Sequence, residues 1–265
     1  MISKSQIKLV RSLEQKKHRM AEGLFVAEGP KVVGDLLACH FRVRLVFAVS
    51  GGERWEVRGE RSEHIPVQIV TEDELRRLSF LQHPQQVLAI FELPDGQNNP
   101  LTPHPSPLNP HLALALDGVQ DPGNVGTIIR IADWYGIDTI YCSLDTADCW
   151  SPKVVQATMG SIARVPIIYC DLARLLREAA VPVYGTVLDG DNIYSQQLSK
   201  EGIVVMGNEG NGISAPIRQL LTHRLLIPQV RPGAESLNVA VATAIVCSEF
   251  RRHGLGQASG QKAQE

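Results

Sequence analysis

Short apolar runs alternate with amphipathic stretches along this chain, and their order predicts two α/β units joined by a proline-rich segment. Ser5–Lys17 places Leu9, Val10 and Leu13 at helical spacing, with the basic residues mostly on other faces. Leu24–Ala27 reads as a short strand. Gly29-Pro30 then opens a helix whose buried side is Val32, Val33, Leu36 and Leu37, because proline fits the first helical turn. Val43–Val49 and Val67–Val70 read as strands. Thr71 and Glu74 have the spacing of a capping box for a helix through Leu78, and Val87–Glu92 closes the unit.

Residues 94–110 then hold Pro94, Pro100, Pro103, Pro105, Pro107 and Pro110, a composition suited to a semi-extended linker. Beyond it, Leu112–Leu116 is continuously apolar, the mark of a strand buried on both faces of a parallel sheet. Asn124 is placed to cap a helix through Trp134, which Gly136 ends. Thr139–Cys142 is a strand, and Ser151-Pro152 starts a helix that stops near Gly160. Val165–Tyr169, Val183–Val187, Ile203–Met206 and Leu225–Ile227 complete the strands. A last apolar helix opens at Ser236 and Asn238 and runs towards Phe250. Apolar nearly all round, it should be buried. The predicted organisation is therefore a first domain at 1–93, a linker at 94–110, a second domain at 111–254 and a disordered tail at 255–265.

Three polar, glycine-rich loops each follow a buried strand: Asp117–Asn124, Gly207–Ser214 and Pro228–Ser236. In open α/β sheets ligands bind outside the carboxyl ends of the strands, which is where these loops lie. Their glycines let backbone groups approach a small molecule closely. The chain contains no GxGxxG, no GxxxxGK[ST], no GxSxG and no HExxH, which disfavours a nucleotide held by its phosphates and a zinc or serine hydrolase. Taken alone, Leu225–Ala242 is a strand, a turn and a capped helix, and its likeness in design to the other two loops raises the reading of a site.

Composition sharpens this only locally. A chain of 265 residues with 44% hydrophobic content accommodates about two domains with ordinary cores. Five scattered cysteines without CxxC spacing argue against zinc or a disulfide framework and for small buried hydrophobes. With no long apolar run and no signal-peptide core, the expectation is a soluble, cytoplasmic protein with no membrane partner and no metal. The net charge of −2 hides a basic N-terminus, where Lys16, Lys17 and Arg19 are candidates for phosphate contact, or simply a solvated helix face. Trp134, Tyr135 and Trp150 are assigned to core packing over base stacking.

The segments DGVQDPGNVGTIIRIA, VVMGNEGNGIS and IPQVRPGAESLNVAVATAIVCSEF, in that order, resemble the three motifs of the SpoU (TrmH-like) branch of the SPOUT RNA methyltransferases. SPKVVQATMGS fits the same style, and GLFVAEGPKVV behind a basic helix resembles the ribosomal-protein-like α/β RNA-binding domain that precedes the catalytic domain in many members. The resemblance implies a mostly parallel sheet flanked by helices with a C-terminal trefoil knot, a homodimer partly sealed by the last helix, and S-adenosylmethionine as cofactor. It implies methyl transfer to a ribose 2′-hydroxyl in RNA, ribosomal RNA in preference to tRNA; a non-catalytic RNA-binding protein of the same fold is the rival. Gly207, Ile227 and Leu237 match positions holding the cofactor through their backbone, and Asn208, Gly210, Ser236 and Asn238 fill out the pocket. Arg130, Asn124, Glu209, Ser236 and Asn238 match the catalytic motifs. With a pKa above about 12, Arg130 is a poor free base and suits the phosphate beside the hydroxyl, in its own protomer or across the dimer, leaving the base unassigned. Its alternative is an ion pair with Asp117, Asp121 or Asp133. Glu209 either acts in catalysis or braces its loop, and Asn124, Ser236 and Asn238 can cap helices as well as line a site.

Overall fold

The computed structural model describes residues 1–50, 65–94, 111–231, 233 and 235–258. Two compact units emerge, the first from residues 1–100 with 148–164, the second from 101–147 with 165–265. The first unit is thus discontinuous: 148–164 joins it, where a continuous second domain at 111–254 was expected.

In the first unit α1 (Lys4–Ser12) starts from a capping box in which Ser3 and Gln6 exchange side-chain to backbone hydrogen bonds. The single helix expected over Ser5–Lys17 is broken before α2 (Lys16–Glu22), and Arg19 stabilises the break by donating to the carbonyls of Leu13 and Glu14, both at 2.7 Å. Gly23, at φ +66°, ends α2 in the left-handed conformation that glycine adopts without strain. There follow β1 (Leu24–Glu28), α3 (Pro30–Ala38), β2 (Val43–Val49), β3 (Val67–Val70), α4 (Glu72–Leu78) and β4 (Val87–Glu92). The Thr71–Glu74 capping box forms as predicted. The sheet runs β1-β4-β2-β3, antiparallel except for β2 with β3. One face buries Val10, Leu13, Phe47, Leu75 and Ile90 together.

The second unit opens with β5 (Ala113–Asp117), α5 (Pro122–Tyr135) and β6 (Thr139–Cys142). Then α6 (Pro152–Ala157) returns to the first unit, where it packs on β1 and Trp150 sits 4.6 Å from the Phe25 ring. The chain resumes with β7 (Ile167–Tyr169), α7 (Leu172–Glu178), β8 (Val183–Asn192), β9 (Ile203–Gly207), α8 (Ala215–Arg218), β10 (His223–Leu226) and α9 (Val239–Ala258). The sheet order is β10-β8-β9-β5-β6-β7 and every pair is parallel. Uniform burial of Ala113–Asp117 and Ile203–Gly207 agrees with strands covered on both faces.

Several expectations change. α9 continues to Ala258, past the predicted domain end at 254; the remaining tail and residues 95–110 of the expected linker lie outside the described residues. α9 is not buried all round, since Val241 is half exposed, and Trp134 on α5 is 84% exposed where core packing was expected. Arg19 is 1% exposed and ion-paired with Asp148, so it is a buried structural cation and unavailable to RNA. Lys16 and Lys17 are exposed. Cys142, Cys149, Cys170 and Cys247 are buried and Cys39 is half-buried, all as free thiols. Burial pushes the Cys170 thiol up to about 11 and Cys247 up to about 12, which keeps both protonated and inert.

Candidate active site

The carboxyl ends of β5, β8, β9 and β10 emerge on one edge of the parallel sheet, and the loops leaving them are tied together by side chains. Asp117, ending β5, accepts from the Ser214 amide at 2.7 Å. Asn208 donates to the Gly118 carbonyl at 2.7 Å and accepts from the amides of Gly210 and Asn211. Gly207 is required by its own loop: a Cβ there would lie 2.3 Å from the backbone of Gly212 and Ile213, because Asn208 and Gly212 pair across the turn.

A second set of bonds joins the first two predicted loops to the start of α9, just past the third. Glu209 accepts from the amides of Gln120 (3.2 Å) and Asp121 (3.1 Å) and from the Asn124 side chain (3.0 Å). Asn124 in turn accepts from Asn238 Nδ2 at 2.9 Å. Asn238 caps α9, its Oδ1 accepting from the amides of Ala240 and Val241. Asn124 does not cap α5, as its position suggested. Asp121 does, accepting from the Asn124 amide at 2.8 Å with Pro122 at the first turn, and this frees the Asn124 side chain to bridge Glu209 and Asn238. Partial burial alone would raise the Glu209 pKa, but the bonds from Asn124 and from the loop amides outweigh it and hold the carboxyl below its ordinary value.

These loops border a cavity of about 760 Å³ lined by Met206, Gly207, Leu225, Ile227, Ser236 and Leu237, among others. Of the predicted site residues, Gly207, Asn208, Glu209, Gly210, Ile227, Ser236 and Leu237 line it. Asn124 and Asn238 are outside the lining and brace the loops that form it. Arg130 is also outside the lining; it is exposed on α5, six residues past Asn124 and hence about 9 Å further along the helix axis. Asp121 instead caps α5 and Asp117 accepts from the Ser214 amide, so neither of these two carboxylates is engaged as the alternative ion pair for Arg130 had it.

Sequence reasoning missed the wall built by β8. That strand was expected to end at Val187 but runs to Asn192, adding Leu188 and Asp189 to the lining. Asp189 accepts from Arg218, which also lines the cavity, and this bond chiefly depresses the aspartate's pKa. Leu188 is the one apolar residue between Val187 and Ile193, so hydrophobic patterning offered no signal for the extension. Among the described residues no group of three metal-ligating side chains is present, and no helix is long and apolar enough to cross a membrane.

A parallel α/β sheet with a cavity at its strand ends and a hydrogen-bonded three-loop rim defines a small-ligand-binding α/β protein without metal-cluster geometry among the described residues. Comparison with known proteins narrows this. Residues 111–248 match the SpoU rRNA methylase family, and residues 4–89 match an MRM3-like substrate binding domain. The chain belongs to the SpoU rRNA methylase family. It is 29% identical over 250 residues to the 23S rRNA (guanosine(2553)-2′-O)-methyltransferase RlmP of Bacillus subtilis, covering 93% of this chain and 96% of that one. A structure from Porphyromonas gingivalis assigned to the TrmH family superposes with a TM-score of 0.82 at 41% identity, over 96% of this chain and 99% of the other. The AdoMet-bound rRNA methyltransferase of Sinorhizobium meliloti does so with a TM-score of 0.82 at 33% identity, over 96% of both chains.

Proposed function

We propose that the protein transfers a methyl group from S-adenosylmethionine to a ribose 2′-hydroxyl of ribosomal RNA. The observation that carries this reading is the cavity at the strand ends, rimmed by the three family motifs and locked by the Glu209–Asn124–Asn238 bridge. The residues present fit the cofactor. The cavity falls within the roughly 300–1,000 Å³ of small-molecule sites, and its lining mixes apolar residues with glycines and polar loop residues. Gly207, Ile227 and Leu237 would hold the cofactor through their main chain, with Asn208, Gly210 and Ser236 completing the pocket. When bound, the cofactor supplies an electrophilic methyl on a sulfonium.

The chain's own residues supply position and charge. Glu209 is a brace, since its oxygens are occupied by three donors and its lowered pKa makes it a weak base. Asn124 and Asn238 are positioning residues for the same reason. Arg130 binds the phosphate next to the target ribose and lowers the hydroxyl's pKa; aligned approach of the oxygen then contributes several kcal/mol. Its distance from the cavity lining supports its acting in the partner's site of a homodimer. The exposed Trp134 and Val241, on the packed pair α5 and α9, support that seam. A C-terminal trefoil knot belongs to the same family reading. Lys16 and Lys17 serve RNA phosphates. Ribosomal RNA is favoured over tRNA because relatives matched over 93% of this chain are named 23S rRNA and mitochondrial rRNA methyltransferases, and a cytoplasmic location is proposed with that substrate. The motif residues are all present, which favours an enzyme over an inactive RNA-binding relative. Isothermal titration of the full chain with S-adenosylmethionine tests the reading: about one site per protomer is expected, and no heat from folded protein refutes it.

A further inference from the structure

Where β8 borders the large cavity it does not lie flat against β10. Arg224 of β10 pairs with Gly185, and the next residue, Leu225, pairs with Asp191, so Thr186–Gly190 have no register partner on that strand and arch out between those points. Both feet of the arch press closely on their neighbours. A Cβ on Gly185 would lie 2.4 Å from Leu221 Cδ1, and one on Gly190 would lie 2.7 Å from the Leu225 carbonyl carbon, so glycine is needed at each.

The arch is part of the cavity wall: Thr186, Val187, Leu188 and Asp189 all line it. Leu188 is 77% exposed, so the arch presents apolar surface there. An excursion without ladder bonds to β10 needs another tether to hold one shape against its backbone entropy.

Asp189 supplies that tether. One of its oxygens accepts from Arg218 of α8, and the other lies 3.6 Å from Arg224 of β10. Among the described residues lining the cavity Arg218 is the only arginine or lysine, and its guanidinium is engaged by this carboxylate. The charge pair therefore ties the arch to the two elements that follow it in the chain.

We propose that the Asp189–Arg218 pair is a latch that sets the shape of the cofactor pocket. Both are positioning residues for S-adenosylmethionine, acting through the arch and its Leu188 and not by touching the methyl donor. The proposal rests on the cofactor reading above.

The test is isothermal titration of S-adenosylmethionine into the full chain and its variants. Asp189→Asn releases both arginines and should weaken binding about three- to fivefold, the scale of a partly exposed ion pair; Arg218→Gln leaves Arg224 in place and should weaken it about twofold. The double variant Asp189→Asn, Arg218→Gln should bind no more weakly than Asp189→Asn alone, because one latch is lost only once. Arg218→Lys keeps a cation within reach of Asp189 and should restore most of the affinity. Thermal midpoints should stay within about 2 °C of the wild type, since the pair lies at the surface. Unchanged affinity in Asp189→Asn, with or without a lowered midpoint, overturns the proposal. So do losses that multiply in the double variant, which would make the two side chains separate contacts to the cofactor. Folded wild-type protein that binds no S-adenosylmethionine removes the cofactor reading itself, so the two failures are distinct.

Discussion

Replacing Glu209 with glutamine isolates the brace that ties the Gly207–Ser214 loop to the Asp117–Asn124 loop. In the native site Oε1 accepts from Asp121 and Asn124 and Oε2 accepts from Gln120. A glutamine amide keeps one oxygen, so whichever way it turns at least one N–H faces another N–H. The bonds that survive also lose charge assistance, falling from about 1.5–3 kcal/mol each towards about 0.5–1.5. Because Glu209 is exposed, solvent returns part of that loss, and a net weakening of about 1–2 kcal/mol is expected. Expressed in loop order, this corresponds to roughly five- to thirtyfold weaker S-adenosylmethionine binding. Titration calorimetry at neutral pH reads it. A pH series supplies the sign. The Glu209 pKa is lowered in the folded protein from an ordinary 4.5, so its stabilisation is complete above that value and lost as pH falls through the lower, folded one. Wild-type affinity should therefore fall in acid over that window, and the variant should lack this component. Affinity within twofold of wild type, with the same acid limb, would refute the brace.

Arg130→Ala should reduce methyl transfer by 100-fold or more while changing S-adenosylmethionine affinity less than twofold; intact turnover would remove Arg130 from the reaction. Arg19→Ala strands Asp148 and uncaps the Leu13 and Glu14 carbonyls, so chemical denaturation should show a loss of about 3–5 kcal/mol. A loss below about 1 kcal/mol would contradict its structural role. The double variant Lys16→Ala, Lys17→Ala should leave stability unchanged and flatten the log–log salt dependence of RNA binding by about 1.4–1.8. An unchanged slope returns that face to solvation.

What the sequence made legible was local chemistry. Capping residues at Thr71 and Ser151, prolines at first helical turns and continuous apolar strands all depend on near neighbours, and they reappear in place. Arg19 was misread because charge alone does not reveal a partner 129 positions away. Asn124 was misread as a cap because Asp121 offers the same chemistry three residues earlier, and the bridge it makes instead depends on tertiary folding. β8 was cut short where its side chains turn polar, since a strand entering a cavity rim no longer looks like a buried one. Segment 148–164 has no sequence signal for joining the first unit; its place is decided by the Arg19–Asp148 pair and the packing of Trp150 on Phe25.

The central claim is the chemical position of the methyl group. Purified protein should be incubated with unmodified ribosomal RNA and S-adenosylmethionine labelled at its methyl, and the RNA then digested to nucleosides. The account predicts label in a 2′-O-methylated nucleoside, at one site, and none with the Arg130→Ala variant. Label on a base, or none from folded protein that binds the cofactor, would contradict it.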